Sequence, residues 1–273
     1  MKNLYDKINE AVEAIREKTE MVPEVGIILG TGLGNLAQEI DDETVIYCTD
    51  IPHFASSTVK SHKGNLIVGK LSGKTVAVME GRFHFYEGYS LQEITFPIRI
   101  LKELGVKTLI ITNAAGGMNA QYEKGEIVLI TDHINSTGFN PLVGIDDDRL
   151  GLRFPDMSCP YDEKLIALAE KTAAKEGIKT KRGVYLWVTG PSLETKAEYK
   201  FMHSIGADLV GMSTVPEVIV AVQAGLKIVG ISCVTDLCIP DNLKPVNIEE
   251  IIKTAEMAGP KIDALIKALI KKM

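Results

Sequence analysis

The sequence predicts an α/β protein that folds as one domain around a largely parallel or mixed central sheet. Short apolar runs typical of buried strands alternate with stretches of helical periodicity through most of the 273 residues. Several of the apolar runs end in glycine-rich turns. No internal repeat, low-complexity tract or Pro/Ser-rich linker divides the chain, so residues 1–273 are expected to form a single domain.

The elements follow one another in a regular order. Apolar residues at helical spacing from Leu4 to Ile15 predict an amphipathic helix that ends before Pro23. A buried strand is expected at 25–29, followed by a glycine turn at 30–34 and the start of a helix. The remaining predicted strands lie at 75–79, 108–112, 127–131, 183–188 and 227–233, and the helices at 91–104, 194–205, 216–225 and 247–272, the last interrupted at Gly259-Pro260. The polar connections 50–64 and 138–155 are expected to build a site.

Composition excludes several classes of function. A net charge of -6 and a pI near 5.5 give none of the basic character that nucleic-acid binding requires. No stretch reaches the roughly 18 apolar residues of a membrane span, and the charged N-terminus lacks the apolar segment of a signal peptide. The four cysteines show no CxxC pair and no histidine at ligand spacing, so neither a metal site nor a disulfide is expected. The cytoplasm is the expected compartment.

Two segments indicate anion binding. Glycines 30, 32 and 34 allow a sharp turn after a strand that presents N–H groups to an anion, with the Thr31 hydroxyl beside them. The segment 81–88 concentrates Arg82, His84, Tyr86 and Glu87, and a guanidinium with an imidazole suits phosphate. A structural turn and a salt-bridged surface loop are the alternatives. His62 is another candidate donor, although a loop histidine is often only solvated.

Three further segments follow strands and carry candidate contacts. Residues 112–117, TNAAGG, are small enough for a backbone that lies against a ligand, but a tight turn explains them equally well. Residues 190–195, GPSLET, place Glu194 at an expected helix start, where favourable interaction with the helix dipole is the simpler role. Residues 211–217, GMSTVPE, place two hydroxyls ahead of a helix, where capping is their default role.

Read in order, these segments resemble the trimeric purine nucleoside phosphorylase family. The motifs that carry the resemblance are GTGLG, GRFHFYEGY, TNAAGG, GPSLET and GMSTVPEV, and the likeness runs from about residue 21 to the end of the chain. It implies a mixed sheet that curls into a distorted barrel, and a homotrimer with sites near the subunit interfaces. The implied reaction is phosphorolysis of purine nucleosides, with inorganic phosphate as co-substrate and no other cofactor.

The resemblance also implies site residues by matching motif positions. The phosphate would be bound by Thr31, His62, Arg82, Phe83, His84, Ala114 and Ser213. The ribose would contact Tyr86, Met212, Ile248 and, from a neighbouring chain, Phe139. The purine would meet Glu194 and Asp236, and the residues expected to take part in catalysis are Asp236, His84 and Glu194.

Three positions depart from the family members that cleave inosine and guanosine. Thr31 replaces Ser, Asp236 replaces Asn, and Ile248 replaces a His that would bond the ribose 5′-hydroxyl. An ionised Asp only accepts hydrogen bonds, which suits the exocyclic amine of adenine, and Ile248 would tolerate a 5′-methylthio group. Glu194, however, keeps the partner for N1–H of a 6-oxopurine. The preferred base therefore stays open, with relaxed or 6-aminopurine specificity as a hypothesis and 5′-methylthioadenosine phosphorylase as an alternative.

Two alternatives belong to other classes. A nucleotide-binding oxidoreductase could use the turn at 30–34, but GxGxxG spacing is absent, and the flanks of Asp50 do not read as the strand that would end in the ribose-binding acid. A non-catalytic purine-binding protein would not need a set of phosphate ligands. Phosphate-dependent turnover separates both from a phosphorylase.

Overall fold

The mixed sheet dominates the computed structural model, which describes residues 3–56 and 64–273. Within these residues the strands are β1 (Val25–Ile28), β2 (Asp41–Tyr47), β3 (Asn65–Leu71), β4 (Lys74–Met79), β5 (Thr108–Gly117), β6 (Ile127–Asn135), β7 (Thr180–Trp187), β8 (Leu209–Gly211) and β9 (Lys227–Leu237). The α-helices are α1 (Leu4–Arg16), α2 (Leu91–Leu104), α3 (Glu163–Lys175), α4 (Lys196–Ser204), α5 (Val215–Gln223) and α6 (Ile248–Ile270).

The strand order explains the shape of the sheet. In the described part of the chain the order is β2-β3-β4-β1-β5-β8-β7-β6-β9, and a further pairing joins β5 to β9. That pairing closes β5, β8, β7, β6 and β9 into a ring, while β2, β3, β4 and β1 extend from it as an open arm. Parallel pairs such as β1 with β5 occur beside antiparallel ones such as β6 with β9. The predicted α/β fold with a mixed, barrel-like sheet in a single domain is confirmed.

The helices cover the sheet with their apolar faces. The first helix buries Ile8, Ala11 and Ile15 at the spacing of one helical face. Helix α2 begins at Leu91, where Ser90 and Glu93 form a capping box, and it ends at Gly105 in the left-handed conformation. Both ends of α2 are marked by residues that are local in the sequence, the capping box and the glycine, so the helix lies where the sequence predicts it.

Other elements differ from the prediction. Helix α6 runs without interruption through Gly259 and Pro260, since a proline removes one hydrogen bond but does not always end a helix that is packed along its length. The helix expected after Gly34 is a short 3₁₀ segment, Gly34–Glu39. Strands β2 and β3 and helix α3 were not predicted, whereas β8 is the strand expected ahead of residues 211–217. The first of these is a largely exposed edge strand, so it lacks the apolar run that marks a buried one.

The structure contains no helix, within its described residues, that is long and apolar enough to cross a membrane. The same residues include no group of three or more His, Cys, Asp or Glu side chains placed to hold a metal ion.

Candidate active site

One cleft gathers most of the predicted site residues. It lies at the carboxyl ends of the parallel strands β4, β1, β5 and β9, the edge at which open α/β sheets bind ligands. Its empty volume is about 730 Å³ including the open mouth, which is adequate for a small molecule. Nine of the predicted residues line it: Thr31, Arg82, His84, Tyr86, Ala114, Glu194, Met212, Ser213 and Asp236.

The glycine turn after β1 is shaped by contact with β5. The Gly30 N–H donates to Thr112 Oγ1 at 2.9 Å. A Cβ on Gly30 would lie 2.8 Å from the Asn113 Cα, so only glycine permits this approach. Gly32 has φ +74°, and a Cβ there would lie 2.8 Å from the Ala255 Cβ of α6. The turn is therefore held between β5 and α6, which places Thr31 at the cleft.

Arg82 forms the cationic end of the cleft. It is 4% exposed, and its Nη1 donates to Ser213 Oγ at 3.0 Å. Its Nε lies 3.3 Å from Oε1 of the buried Glu217, whose Oε2 accepts a hydrogen bond from the Thr214 N–H. Glu217 thus holds both the guanidinium and the turn that carries Ser213. This residue was not predicted as part of the site, although its place three residues after Thr214 is the capping-box pattern that signals it.

His84 is oriented by its own loop. Oε1 of Glu87 accepts a hydrogen bond from the His84 N–H at 2.8 Å and lies 3.2 Å from Nδ1. The imidazole stacks on Tyr86 with ring centroids 4.7 Å apart and an angle of 15°. Burial, followed by the charge of Glu87, raises the pKa of Tyr86 to about 12. The phenol therefore keeps its proton at neutral pH and can donate a hydrogen bond in the cleft.

A bulge in β9 aims Asp236 at the cleft. Ala115 of β5 pairs with Val234 and Gly116 pairs with Asp236, so Thr235 is the extra residue. Such bulges change the direction of the following side chain and are common beside active sites. Thr235 Oγ1 lies within hydrogen-bond distance of Asp236 Oδ1, at 2.9 Å.

Glu194 is the second carboxylate that lines the cleft, with Asp236. Helix α4 begins at Lys196 with Thr195 as its N-cap, and Glu198 is the acid in its first turn. The expected helix start at Glu194 is therefore wrong by two residues. Because Glu194 precedes the cap, the helix-dipole role considered for it belongs to Glu198.

Four predicted residues have other positions. The Phe83 ring packs in the core against Phe54 and Tyr89, and Phe83 is not among the described residues that line the cleft. Ile248 is 58% exposed and is not among the described residues that line the cleft. Phe139 is 48% exposed, stacks near Phe85, and lines a neighbouring hollow that shares Glu194 with the cleft. His62 lies outside the described residues.

The cleft also contains residues that were not predicted: Val210, Thr235, Tyr199, Cys238 and Ile251. Ile251 lies three residues after Ile248 and lines the cleft with an apolar side chain. From the sequence, the helical spacing of residues 251, 252 and 255 predicted only that they pack against the rest of the protein. Tyr199 and Cys238 come from α4 and from the residue just after β9, and nothing in their local sequence marks a site.

Comparison with known proteins agrees with a ligand cleft of this kind. The family model described as the phosphorylase superfamily matches residues 24–271. Over 266 residues, the chain is 47% identical to purine nucleoside phosphorylase 1 of Geobacillus stearothermophilus, with 97% of each chain covered. Isoform 2 of the Schistosoma mansoni purine nucleoside phosphorylase, solved with cytosine and ribose-1-phosphate, superposes with a TM-score of 0.94 at 40% identity, covering 98% of this chain and 97% of that one. A Schistosoma mansoni purine nucleoside phosphorylase solved with adenosine gives a TM-score of 0.93 at 40% identity, with the same coverage.

The match to the phosphorylase superfamily covers nearly the whole chain, including every element that builds the cleft. The chain belongs to that superfamily and, within it, to the purine nucleoside phosphorylases, which are pentosyltransferases.

Proposed function

We propose that the cleft binds inorganic phosphate at its Arg82 end and a purine nucleoside across the rest. The reaction is the reversible phosphorolysis of purine ribonucleosides and 2′-deoxyribonucleosides to free base and pentose 1-phosphate. One observation carries the proposal: a single cleft is lined by the guanidinium of Arg82 and the imidazole of His84 and also by the carboxylates of Glu194 and Asp236. The ribose-1-phosphate held by the Schistosoma mansoni relative supports it.

The phosphate subsite combines fixed donors. Arg82 is proposed to supply charge, with the neighbouring Ser213 hydroxyl, the Thr31 hydroxyl, the Ala114 backbone and His84 as further phosphate contacts, and all five residues line the cleft. Phe83 contributes through its backbone, and His62 is proposed as a further donor. Because Glu217 and Glu87 already hold Arg82 and His84, little reorganisation is needed when phosphate binds.

The ribose is proposed to lie between the two ends, against Tyr86 and Met212, which line the cleft. Phe139 is proposed to contact the ribose of a neighbouring chain in a homotrimer, and Ile248 is proposed as a further ribose contact. Large exposed apolar side chains in the loop between β6 and α3 support such an interface, since they favour burial against another chain: Phe139, Val143, Leu152 and Phe154. Sedimentation at the mass of a single 29.8 kDa chain would contradict the trimer.

The charged groups of the cleft suit the charges that develop on the ribose and the purine during phosphorolysis. As the bond from C1′ to the purine stretches, the ribose becomes cationic and the purine gains the electron pair. Phosphate, fixed beside the ribose, stabilises the cation and then bonds to C1′. The departing purine takes a proton at N7, and Asp236 is proposed to donate or share it, with Glu194 bound to the other edge of the base.

The base preference is the finer part of the proposal. Asp236 favours the 6-amino group of adenine, and Glu194 favours N1–H of a 6-oxopurine, so relaxed specificity is expected. Leaving one of these groups unpaired costs about 1–3 kcal/mol, which changes the preference without forbidding a substrate. The apolar surface of Ile251 keeps 5′-methylthioadenosine phosphorolysis as a second candidate.

Neither a cofactor beyond phosphate nor a nucleic-acid partner is proposed. The cytoplasm is the proposed compartment, which is consistent with four cysteines that are all free thiols in the structure: Cys48, Cys159, Cys233 and Cys238.

The test is base release from inosine, guanosine, adenosine and 5′-methylthioadenosine, each with and without phosphate, followed by liquid chromatography. Phosphate-dependent release is expected, and the ranking of substrates gives the base preference. Turnover of inosine with none of adenosine or methylthioadenosine would contradict relaxed specificity. Release from none of the four would contradict the function.

A further inference from the structure

The thiol of Cys238 lies against the carboxylate proposed to meet the purine. Cys238 follows β9 and is 2% exposed, and its N–H donates to the Gly117 carbonyl at 2.8 Å. Its Sγ lies 3.3 Å from Asp236 Oδ2, within the distance of a hydrogen bond to sulfur. The residue also lines the cleft. The thiol therefore lines the cleft where the purine is proposed to bind, and it also contacts Asp236.

The chemistry of the site makes this thiol a donor. Burial, and next the negative charge of Asp236, raise the pKa of Cys238 well above its usual range. The thiol thus stays protonated at neutral pH, and its S–H can donate to Oδ2. A buried, protonated thiol is also a poor nucleophile, which leaves positioning as its available role.

Tyr199 is the other protonated side chain beside these groups. It lines the cleft together with Glu194 and packs in one cluster with Cys238. Burial raises the pKa of the Tyr199 hydroxyl above its usual range, so this hydroxyl also keeps its proton at neutral pH. Two protonated groups, Tyr199 and Cys238, therefore line the cleft with the carboxylates of Glu194 and Asp236.

Packing leaves the thiol little freedom to move away. A Cβ on Gly116 would lie 2.5 Å from Cys238 Sγ and 3.6 Å from Asp236 Oδ2, so the sulfur occupies the space that this glycine leaves. On the other side, Cys238 packs in a small cluster with Tyr199, Met202 and Val210. The contact between sulfur and carboxylate is held by surrounding atoms.

We propose that Cys238 is a positioning residue that sets the base preference of the enzyme by anchoring Asp236. Thr235 lies against Oδ1 and Cys238 against Oδ2, so the carboxylate plane is fixed and its remaining lone pairs face the cleft. A fixed acceptor suits the exocyclic amine of a 6-aminopurine and opposes the carbonyl oxygen of a 6-oxopurine. This inference rests on the proposed function, because it places the purine edge at Asp236.

The test compares a shape-matched variant that lacks the donor with one that keeps it. Cys238→Val removes the S–H, and Cys238→Ser retains an O–H donor. Cys233→Val is the control, because Cys233 is a buried thiol on β9, the strand that precedes Cys238, and is not among the described residues lining the cleft. For each protein, kcat/KM is measured for adenosine and inosine from pH 5.5 to 8.5, with KM for phosphate and Tm.

Cys238→Val should lower the ratio of adenosine to inosine kcat/KM about tenfold, the effect of losing one hydrogen bond to a charged group, and should alter the pH profile for adenosine. KM for phosphate should not change. Cys238→Ser should stay within about threefold of the wild-type ratio, and Cys233→Val should leave it unchanged. An unchanged ratio in Cys238→Val, or an equal change in Cys233→Val, would overturn the proposal.

Failure of the proposed function has a different signature. If the wild-type protein releases no base with phosphate, the same comparison is made on the Kd values of adenine and hypoxanthine by calorimetry. A ratio of Kd values that shifts in Cys238→Val and recovers in Cys238→Ser supports the role of Cys238 without turnover. If neither adenine nor hypoxanthine binds, both proposals are overturned.

Discussion

The side chains at the two ends of the cleft are held by second partners rather than by substrate alone. Glu217 forms an ion pair with Arg82, Glu87 accepts a hydrogen bond from the His84 N–H, and Thr235 lies against Asp236. Each of these partners fixes the direction of a cleft side chain before any ligand is present. Groups that are preorganised in this way stabilise developing charge without a reorganisation cost. At the residue scale, the structure therefore predicts effects on specific kinetic constants.

Ser213→Ala should weaken phosphate binding without unfolding the protein. The hydroxyl accepts from Arg82 Nη1 at the proposed phosphate end, so its loss removes one hydrogen bond to a charged group, worth about 1.5–3 kcal/mol or roughly 10- to 150-fold in KM for phosphate. Steady-state kinetics at varied phosphate measure this. Ser204→Ala, an exposed serine at the end of α4, is the control and should change nothing. An equal loss in both variants would contradict the assignment.

Asp236→Asn should change which base is preferred. The amide adds a donor that can reach O6 of a 6-oxopurine, so the ratio of inosine to adenosine kcat/KM should rise about ten- to a hundredfold. Competition between the two nucleosides in one reaction gives the ratio directly. A uniform loss on both substrates would place Asp236 in the chemistry without a role in recognition.

The sequence could predict those site residues whose motifs follow a strand directly. Arg82, Ala114 and Ser213 come just after strands or near their ends, where the sheet brings them to one edge, whereas Asp236 was predicted only through the family resemblance. Cys238 and Tyr199 could not be found in this way, because a lone cysteine and a helical tyrosine become site residues only when a distant element packs against them. Their signal is in the tertiary contacts.

At the element scale, the glycine turn and α6 depend on each other. Gly32→Ala would combine a positive φ of +74° with a Cβ only 2.8 Å from Ala255. The expected cost is about 1–3 kcal/mol of stability, together with a higher KM for phosphate as Thr31 moves. Gly73→Ala is the matched control, with φ +86° but no described atom within 4 Å of the new Cβ. It should lower Tm and leave KM unaltered, and a higher KM in the control would contradict this account.

Asp263 makes the stability of α6 depend on pH. Burial, with Glu39 adding to it and Lys267 opposing it, raises the pKa of Asp263 to about 7. The folded state then holds a proton that the unfolded state has released, so stability falls as pH rises from about 4 to 7 and levels off above. At 1.36 kcal/mol per pKa unit, the full penalty is about 4 kcal/mol.

Asp263→Asn should remove that penalty. The stabilisation measured by urea unfolding should grow between pH 4 and pH 7 and stay constant from pH 7 to pH 8.5. Asp241→Asn, an exposed carboxylate, serves as the comparison. A gain that does not vary with pH would show that Asp263 is ionised in the folded protein.

The elements themselves were predicted to different degrees for physical reasons. Helix α2 and strand β1 carry their own boundary signals, so the sequence predicts them closely. The edge strand β2 is too exposed to show an apolar run, and α6 continues through Pro260 because the helix is packed on both sides of it. Local sequence signals do not predict an element correctly where tertiary packing determines its extent.

At the scale of the whole molecule, the decisive feature is the closure of the sheet. Strands β5 and β9 pair in parallel although more than a hundred residues separate Thr108 from Lys227. Alternation of strands and helices indicates an α/β fold, but it cannot specify which distant strands become neighbours. That closure brings Ala114 and Asp236 to one cleft, so the site exists only in the complete fold.

The central claim is that this cleft transfers a pentose to phosphate. The most direct measurement follows inosine and inorganic phosphate with the protein by ³¹P NMR. The account predicts a growing ribose 1-phosphate signal that matches the hypoxanthine released and disappears when excess hypoxanthine drives the reaction back. Release of free ribose, with the phosphate signal unchanged, would contradict it.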